Sequence, residues 1–375
     1  MNTKKWIWEH EDFPNFNYDY KEIEPIIFRL IEKSGELKGK ISYLSNSEQD
    51  NFSVETSLNE IIATSEIEGV TLKRDSVRSS LQKKLNVTFN RVEDKSTKNS
   101  DSLTELYIDS RFNQEDLSVE RLHTWHHAIF EAYDSVLYPV NKGVFRDHDD
   151  MQIVSGSLEG EKIHYVAIPQ KQIEPSMGEL IDYINGSNEN FIVKSAVAHL
   201  WFESIHPYDD GNGRIGRAIV NYILAKEGGL DNRYYSISSA INKHRQEYYT
   251  HLEKTQKLVH NGNLELSTWI QWHTQSIEKS IEISIKNIEQ VVQKTKFHDK
   301  IRYIKLNEKQ TKVINRLLDA GAGNFEGGLT NKKYRALTKT DAVTASRHLK
   351  DMLNKGIIRE VEGFSGRSTR YELDV

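Results

Sequence analysis

Cysteine is absent from this 375-residue chain. That excludes a disulfide framework and any metal site built on thiolates. No run of about eighteen apolar residues occurs, which excludes a membrane-spanning helix. The start, Met1–His10, is basic, but charge and Pro14 arrive before any apolar signal-peptide core. There is no large excess of one charge either: 50 Lys and Arg stand against 55 Asp and Glu, a net of −5. A composition 37% hydrophobic and 28% charged is that of an ordinary soluble protein, long enough for two or three domains, each with its own core. The expected setting is cytoplasmic.

What is present in abundance is chemistry packed into twelve residues: His206-Pro207-Tyr208-Asp209-Asp210-Gly211-Asn212-Gly213-Arg214-Ile215-Gly216-Arg217. Gly211 and Gly213 permit positive φ, so successive amides around Asn212 can converge into a concave anion nest. The residues from Arg214 to Ala225 read as a helix whose N-terminal amides and positive dipole end face the same nest, an arrangement that favours phosphate. Asp210 is an oxygen ligand suited to Mg²⁺, which is commonly held by one carboxylate plus substrate phosphates. Arg214 and Arg217, three apart, share a helix face and can both reach a polyphosphate. His206 titrates near neutrality and can take a proton from an attacking hydroxyl. A Gly-Asn-Gly alone is usually a turn, and two arginines on a helix are usually a solvated face. Their joint spacing is what carries the reading.

The flanks fit this picture. Asn190–Ile205 is apolar almost all round, which predicts a buried central helix delivering His206 at its end. His199 inside it reads as a hydrogen-bonded core histidine. Met151–Leu158 and Lys162–Ile168 are β-prone runs around Glu159-Gly160-Glu161, a hairpin signal.

The twelve-residue stretch resembles the signature of Fic proteins, His-x-Phe-x-(Asp/Glu)-Gly-Asn-Gly-Arg-x-x-Arg, departing only at Tyr208, which keeps the ring of an apolar anchor. The resemblance implies a mainly α fold, a Fic helical core with a β-hairpin flap. It implies transfer of AMP from ATP to a Ser, Thr or Tyr hydroxyl of a target protein or of the chain itself, with pyrophosphate leaving. In that scheme His206 is the base, and Asp210 is the ligand of Mg²⁺. Gly211, Asn212 and Gly213 hold the α- and β-phosphates, Arg217 engages the γ-phosphate and Arg214 assists. The hairpin edge, Ile153-Val154-Ser155-Gly156, aligns an extended target segment by strand addition. The stretch His244–Gln256 resembles the helix that walls the adenine pocket, with Tyr249 on the base, Tyr248 beside it and Gln256 as a polar contact; a tyrosine pair on a helix is equally compatible with core packing. The family also suggests dimers.

A second motif, Thr64-Ser65-Glu66-Ile67-Glu68-Gly69, resembles the inhibitory helix of the same family, (Ser/Thr)-x-x-x-Glu-(Gly/Asn). The logic is competition: a carboxylate set against Arg217 occupies what that arginine should offer the γ-phosphate. Gly69 fits as the stop beyond Glu68. Lying in the same chain, the motif implies autoinhibition in cis, and a reverse, AMP-removing activity is open.

Residues 1–90 are expected as an N-terminal helical domain carrying that helix, 103–275 as the catalytic body, and 276–300 as a connecting helix with Ile277, Ile281, Ile285, Ile288 and Val292 on one stripe. Residues 306–375 read differently: helices over Glu308–Leu318, near Lys332–Leu337 and over Thr340–Asn354, then strands Ile357–Val361 and Arg370–Leu373. That order describes a winged helix-turn-helix. Thirteen Lys and Arg against nine Asp and Glu give it +4, leaving −9 on the rest. Lys339, Arg347, Lys350 and Arg367 are available for DNA phosphates, but winged helices also dock proteins, and the charge is small. The alternative function is therefore a DNA-binding regulator whose Fic body senses nucleotide. Target protein, modified hydroxyl and oligomeric state are not in the sequence.

Overall fold

The computed structural model describes residues 4–85, 94–133, 135, 139–155, 160, 162–227, 230–320 and 325–374. The chain forms two compact units, Met1–Ser284 and Ile285–Val375. In chain order the helices of the first are α1 (Tyr20–Ser42), α2 (Asn46–Ile67), α3 (Arg74–Lys84), α4 (Lys98–Phe112) and α5 (Val119–Phe130). A hairpin follows, β1 (Gln152–Ser155) and β2 (Lys162–Val166), then α6 (Ile173–Gly186), α7 (Phe191–Ile205), α8 (Asn212–Lys226), α9 (Ile237–Lys243) and α10 (Arg245–Thr255). Helix α11 (Ser267–Ile301) runs from the first unit into the second. The connecting helix expected over 276–300 is thus the interior of a longer one.

Residues 1–90, expected as an N-terminal helical domain, pack against the body in one hydrophobic cluster. Leu58 and Ile61 of α2 pack with Trp125, Met177, Phe202, Ile205, Ile215 and Ile219 in a single hydrophobic cluster. The aromatic arm before α1 is tied down as well. Ile7 N–H donates to the Gln256 carbonyl at 2.9 Å and Leu258 N–H to that of Lys5 at 2.9 Å. Phe13 and Phe16 meet the Trp201 ring edge-on. Apolar side chains at three- and four-residue spacing have no stability of their own until a second surface covers them, and here that surface is the body.

Helix α2 is set by its two ends. Ser45 accepts from Glu48 N–H while the Glu48 carboxylate accepts from Ser45 N–H at 2.8 Å, a capping box. At the far end Gly69 takes φ +77°, Gly69 N–H bonds Glu66 O and Val70 N–H bonds Ser65 O, both at 2.9 Å. This pair of closing bonds fixes where the helix stops, at Glu68. Buried Glu60 then pins α2 to the start of α9. Its carboxylate accepts from Asn221 Nδ2 at 3.0 Å, Ser236 Oγ at 2.7 Å, and Ser238 N–H and Oγ at 3.0 and 2.6 Å.

The second unit contains α12 (Glu308–Ala320), α13 (Asn331–Thr338) and α14 (Ala342–Asn354), followed by antiparallel β3 (Ile358–Glu360) and β4 (Tyr371–Leu373), with Ile358 opposite Leu373. Val313, Leu317, Tyr334, Leu349, Met352, Ile358 and Leu373 form its core, with Phe297 and Ile301 of α11. Three helices and a hairpin therefore occur in the order expected.

Candidate active site

The site is built where α7 stops and α8 begins. Fourteen consecutive residues of α7, Ile192 to Ile205, are buried, as its all-round apolar sequence requires. Pro207 disfavours the α region for the residue before it. His206 leaves the helix in the left-handed region, φ +50° and ψ +61°, with its N–H still bonded to Phe202 O at 2.9 Å. A non-glycine there is strained by about 1–3 kcal/mol and needs the surroundings to hold it. Arg146, 1% exposed, does so: Nε donates to His206 O at 3.0 Å, and the two terminal nitrogens donate to His148 O at 2.6 Å and Ile168 O at 2.5 Å.

Between the helices the chain turns on its own side chains. Asn212 Oδ1 accepts from Tyr208 N–H at 3.0 Å and its Nδ2 donates to Tyr208 O at 2.8 Å. Gly211 sits at φ +83°, and a Cβ there would lie 2.8 Å from the Phe130 ring, so conformation and space both demand glycine. Tyr208 fills the anchor position: it is fully buried, stacked on His126 at 4.0 Å between centroids, with its hydroxyl 3.1 Å from His123 Nδ1. A tyrosine is accommodated because the pocket supplies a hydrogen-bond partner.

Two arginines of α8 diverge in use. Arg217, 2% exposed, points at α2: Nε donates to Thr64 Oγ1 at 2.8 Å, and one terminal nitrogen donates to Thr64 O at 2.9 Å and Glu68 Oε1 at 2.7 Å. Burial opposes its charge, but Glu68, Tyr248 and Glu203 outweigh burial and hold its proton more firmly than in an ordinary arginine. Arg214 lies over the Phe130 ring, 3.8 Å from Asp210 Oδ1. The Glu68 carboxylate also lies against the first turn of α8, where it would collide with any Cβ at Gly213. It therefore occupies the helix N-terminus that the sequence offers to an anion.

Burial, with Arg146 adding to it, lowers the His206 imidazole to about 4, so it is neutral at pH 7 with a lone pair free to act as a base. Burial raises the Glu203 carboxyl, one turn earlier, to about 8. The Asp210 carboxylate is 61% exposed and accepts from Gly211 N–H at 2.5 Å. It remains available to a hard cation shared with phosphates, and the donor set fits Mg²⁺ on that chemistry.

The other expected residues divide. Tyr249 is partly buried beside the end of α2, its hydroxyl donating to Ile67 O at 3.2 Å. Tyr248 is 1% exposed, stacked on Trp272 and 3.3 Å from His199 Nε2, which is core packing in this conformation. Gln256 is likewise buried, with Nε2 donating to Ser204 Oγ at 3.3 Å. On the hairpin Ile153 pairs with Tyr165, Val154 with Ile163 and Ser155 with Lys162, with a register shift after Ile153. Val154 and Ile163 are exposed. Gly156 lies outside the described residues. Sequence reasoning missed Arg146 and Glu203. Nothing local marks Arg146, whose partners lie up to 60 residues away. Glu203 carried a signal, the one acid inside a largely apolar helix.

Comparison with known proteins supplies the class. Residues 116–224 match the Fic/DOC family. Residues 6–87 match a domain of unknown function, DUF4172, which includes Glu68 and the whole of α2. A probable protein adenylyltransferase of Aquifex aeolicus is 31% identical over 84 residues; the match spans 22% of this chain and 26% of that relative. The crystal structure of a Fic family protein from Desulfovibrio desulfuricans G20 shares the fold over 93% of this chain and 96% of its own, with a TM-score of 0.50 and 18% identity. Among the described residues no helix is long and apolar enough to cross a membrane.

Proposed function

We propose that this chain is an autoinhibited protein adenylyltransferase. The observation that carries the reading is the convergence of a neutral imidazole, a glycine-bounded turn at a helix N-terminus and a buried arginine, with Glu68 on that arginine. In the reaction a target hydroxyl oxygen attacks the α-phosphorus of ATP while its proton passes to His206 Nε2. The bond to the β-phosphate breaks, and pyrophosphate carries away the electron pair. Gly211, Asn212 and Gly213 cradle the phosphates, with Arg214 beside them and Arg217 on the γ-phosphate. Such transfers rest on positioning and charge stabilisation, which this arrangement can supply. Asp210 would hold Mg²⁺, which when bound offsets the charge of the phosphates. Tyr249 borders the base, and the β1 edge receives the target as an added strand. The acceptor is a Ser, Thr or Tyr of the chain itself or of a partner, the assembly is a homodimer, and AMP removal is the reverse use of the site.

The test is transfer of α-labelled AMP to protein by the Glu68→Gly enzyme with ATP and Mg²⁺, followed by mass-spectrometric site mapping on a lysate. Label that disappears in Glu68→Gly/His206→Ala supports the reading. No label, or equal label in both, overturns it.

A second reading, a DNA-binding regulator, is favoured by one observation. Lys339, Arg347 and Lys350 are all exposed on or beside α14, the helix of three before the hairpin. In this reading the second unit is a winged helix. Duplex binding by the full chain that weakens steeply with salt, and weakens further in Arg347→Glu/Lys350→Glu, would support it; no binding at low salt would remove it.

A further inference from the structure

One turn ahead of His206, α7 carries an ionisable side chain that the proposed chemistry leaves unused. Glu203 lies three residues before His206 and four after His199, a spacing that sets all three on one helix face. Its side chain is 5% exposed. Oε2 is 3.8 Å from His206 Nδ1, and Oε1 is 3.8 Å from His199 Nε2. Neither Glu203 Oε1 nor His206 Nδ1 has a hydrogen-bond partner, although both are buried. Across the interface α8 makes room for this carboxyl with a glycine: a Cβ on Gly216 would come within 2.7 Å of Glu203 Oε1 and 3.1 Å of His199 Cδ2. Two helices thus leave space for a buried acid where an apolar side chain would pack at lower cost.

We propose that Glu203 is a positioning residue for His206: it accepts the Nδ1–H of the imidazole, which leaves the lone pair on Nε2. This rests on the adenylyltransferase reading, in which Nε2 takes the hydroxyl proton. A neutral imidazole has one N–H and one lone pair, and the partner of one nitrogen decides the state of the other. The remaining charged or titratable groups facing the pair are Arg146 before β1, Asp210 in the turn, Arg217 of α8, Glu68 at the end of α2 and Tyr248 of α10. Arg146 donates to His206 O, Arg217 is a donor engaged by α2, and Glu68 is taken up by Arg217. The Glu203 main-chain carbonyl also acts on the imidazole, and the Glu203 carboxyl is the side-chain acceptor within ion-pair range of Nδ1. A carboxyl keeps an acceptor oxygen when protonated as well as when ionised, so the role survives the raised titration of this acid. Hydrogen bonds at catalytic histidines are often long before substrate binds and shorten in the complex.

The experiment uses full-length Glu68→Gly protein with ¹⁵N-labelled histidine, the His206 signals being those lost in Glu68→Gly/His206→Ala. The parent should display Nδ1 protonated and Nε2 bare. Glu203→Gln keeps an acceptor oxygen and should preserve that tautomer. Glu203→Met, similar in size but without an acceptor, should move His206 toward the Nε2–H form. It should lower kcat for AMP transfer at least about tenfold, with KM for ATP within about twofold. Should Glu203→Met fail to fold, Glu203→Leu, likewise without an acceptor, takes its place with the same expectation. An unchanged His206 tautomer in the variant without the acceptor, or equal kcat in Gln and Met, overturns the proposal. A parent that transfers no AMP overturns the adenylyltransferase reading instead, while the tautomer measurement still decides the role of Glu203.

Discussion

The Glu68 carboxylate and the Arg217 guanidinium meet at 2.7 Å across 149 residues of sequence. The contact belongs to a larger clamp, since Thr64, one turn earlier on α2, gives the same guanidinium two further acceptors. Glu68 is 27% exposed while Arg217 is 2% exposed, so the acid lies nearer solvent than the arginine.

Replacing Glu68 by Gly should therefore free Arg217 and the α8 N-terminus together. AMP transfer is expected to rise at least about tenfold over the unsubstituted chain, the effect of removing one charge-assisted bond of about 1.5–3 kcal/mol. Adding His206→Ala should lower it by about 10² or more, the usual worth of a positioned base. Initial rates of label incorporation measure both.

Thr64→Val removes one of the three acceptors and leaves the carboxylate in place. Transfer should fall between that of the unsubstituted chain and Glu68→Gly, the clamp being weakened by about 1 kcal/mol. A rate as high as that of Glu68→Gly would mean that Thr64, not Glu68, sets the restraint.

Glu60→Ala should destabilise the first unit by about 2–4 kcal/mol, because four donors on α8 and around α9 lose their acceptor inside the protein. Urea unfolding followed by tryptophan fluorescence measures this. A change below about 0.5 kcal/mol would contradict the assigned network.

Acid should destabilise the fold early. Burial lowers His206 and His126 to about 4 and His273 to about 3, against an ordinary 6.5. Between those limits the unfolded chain binds protons that the native one refuses, so stability falls as pH drops from 6.5 toward 4. Glu203 acts oppositely, its proton being retained in the native state between 4.5 and 8. Three imidazoles outweigh one carboxyl, at about 1.4 kcal/mol per unit of pH for each group. Melting temperature should drop between pH 6.5 and 4.5, and His273→Asn should flatten the slope.

The same depression has a kinetic signature. AMP transfer by Glu68→Gly should not halve near pH 6.5, as for an ordinary histidine, but hold until pH approaches 5, where folding also fails. A rate profile breaking at 6.5 would mean that the imidazole is solvated in the working enzyme.

Much of this was legible in order along the chain. The glycine-bounded turn, the mostly apolar α7 and the glycine stop after Glu68 are local matters, fixed by backbone torsion, periodicity and capping within a few residues. Helix ends shifted where tertiary packing extended them, as in α11. The packing of the N-terminal helices on the body was not legible, because the surface that covers their apolar faces lies far along the chain.

By itself the sequence determined which groups lie within one turn of each other: His206 after α7, Gly211 to Arg217 around the start of α8, Glu68 at the close of α2. Tertiary structure alone decided what those groups face. It brought Glu68 onto Arg217, ran Arg146 beneath the His206 carbonyl, and buried Tyr248 and Gln256. It also left Glu203 with one imidazole beside each oxygen. The reason is range: torsions and periodicity act over a few residues, whereas burial and charge pairing depend on which surfaces meet once the whole core has formed.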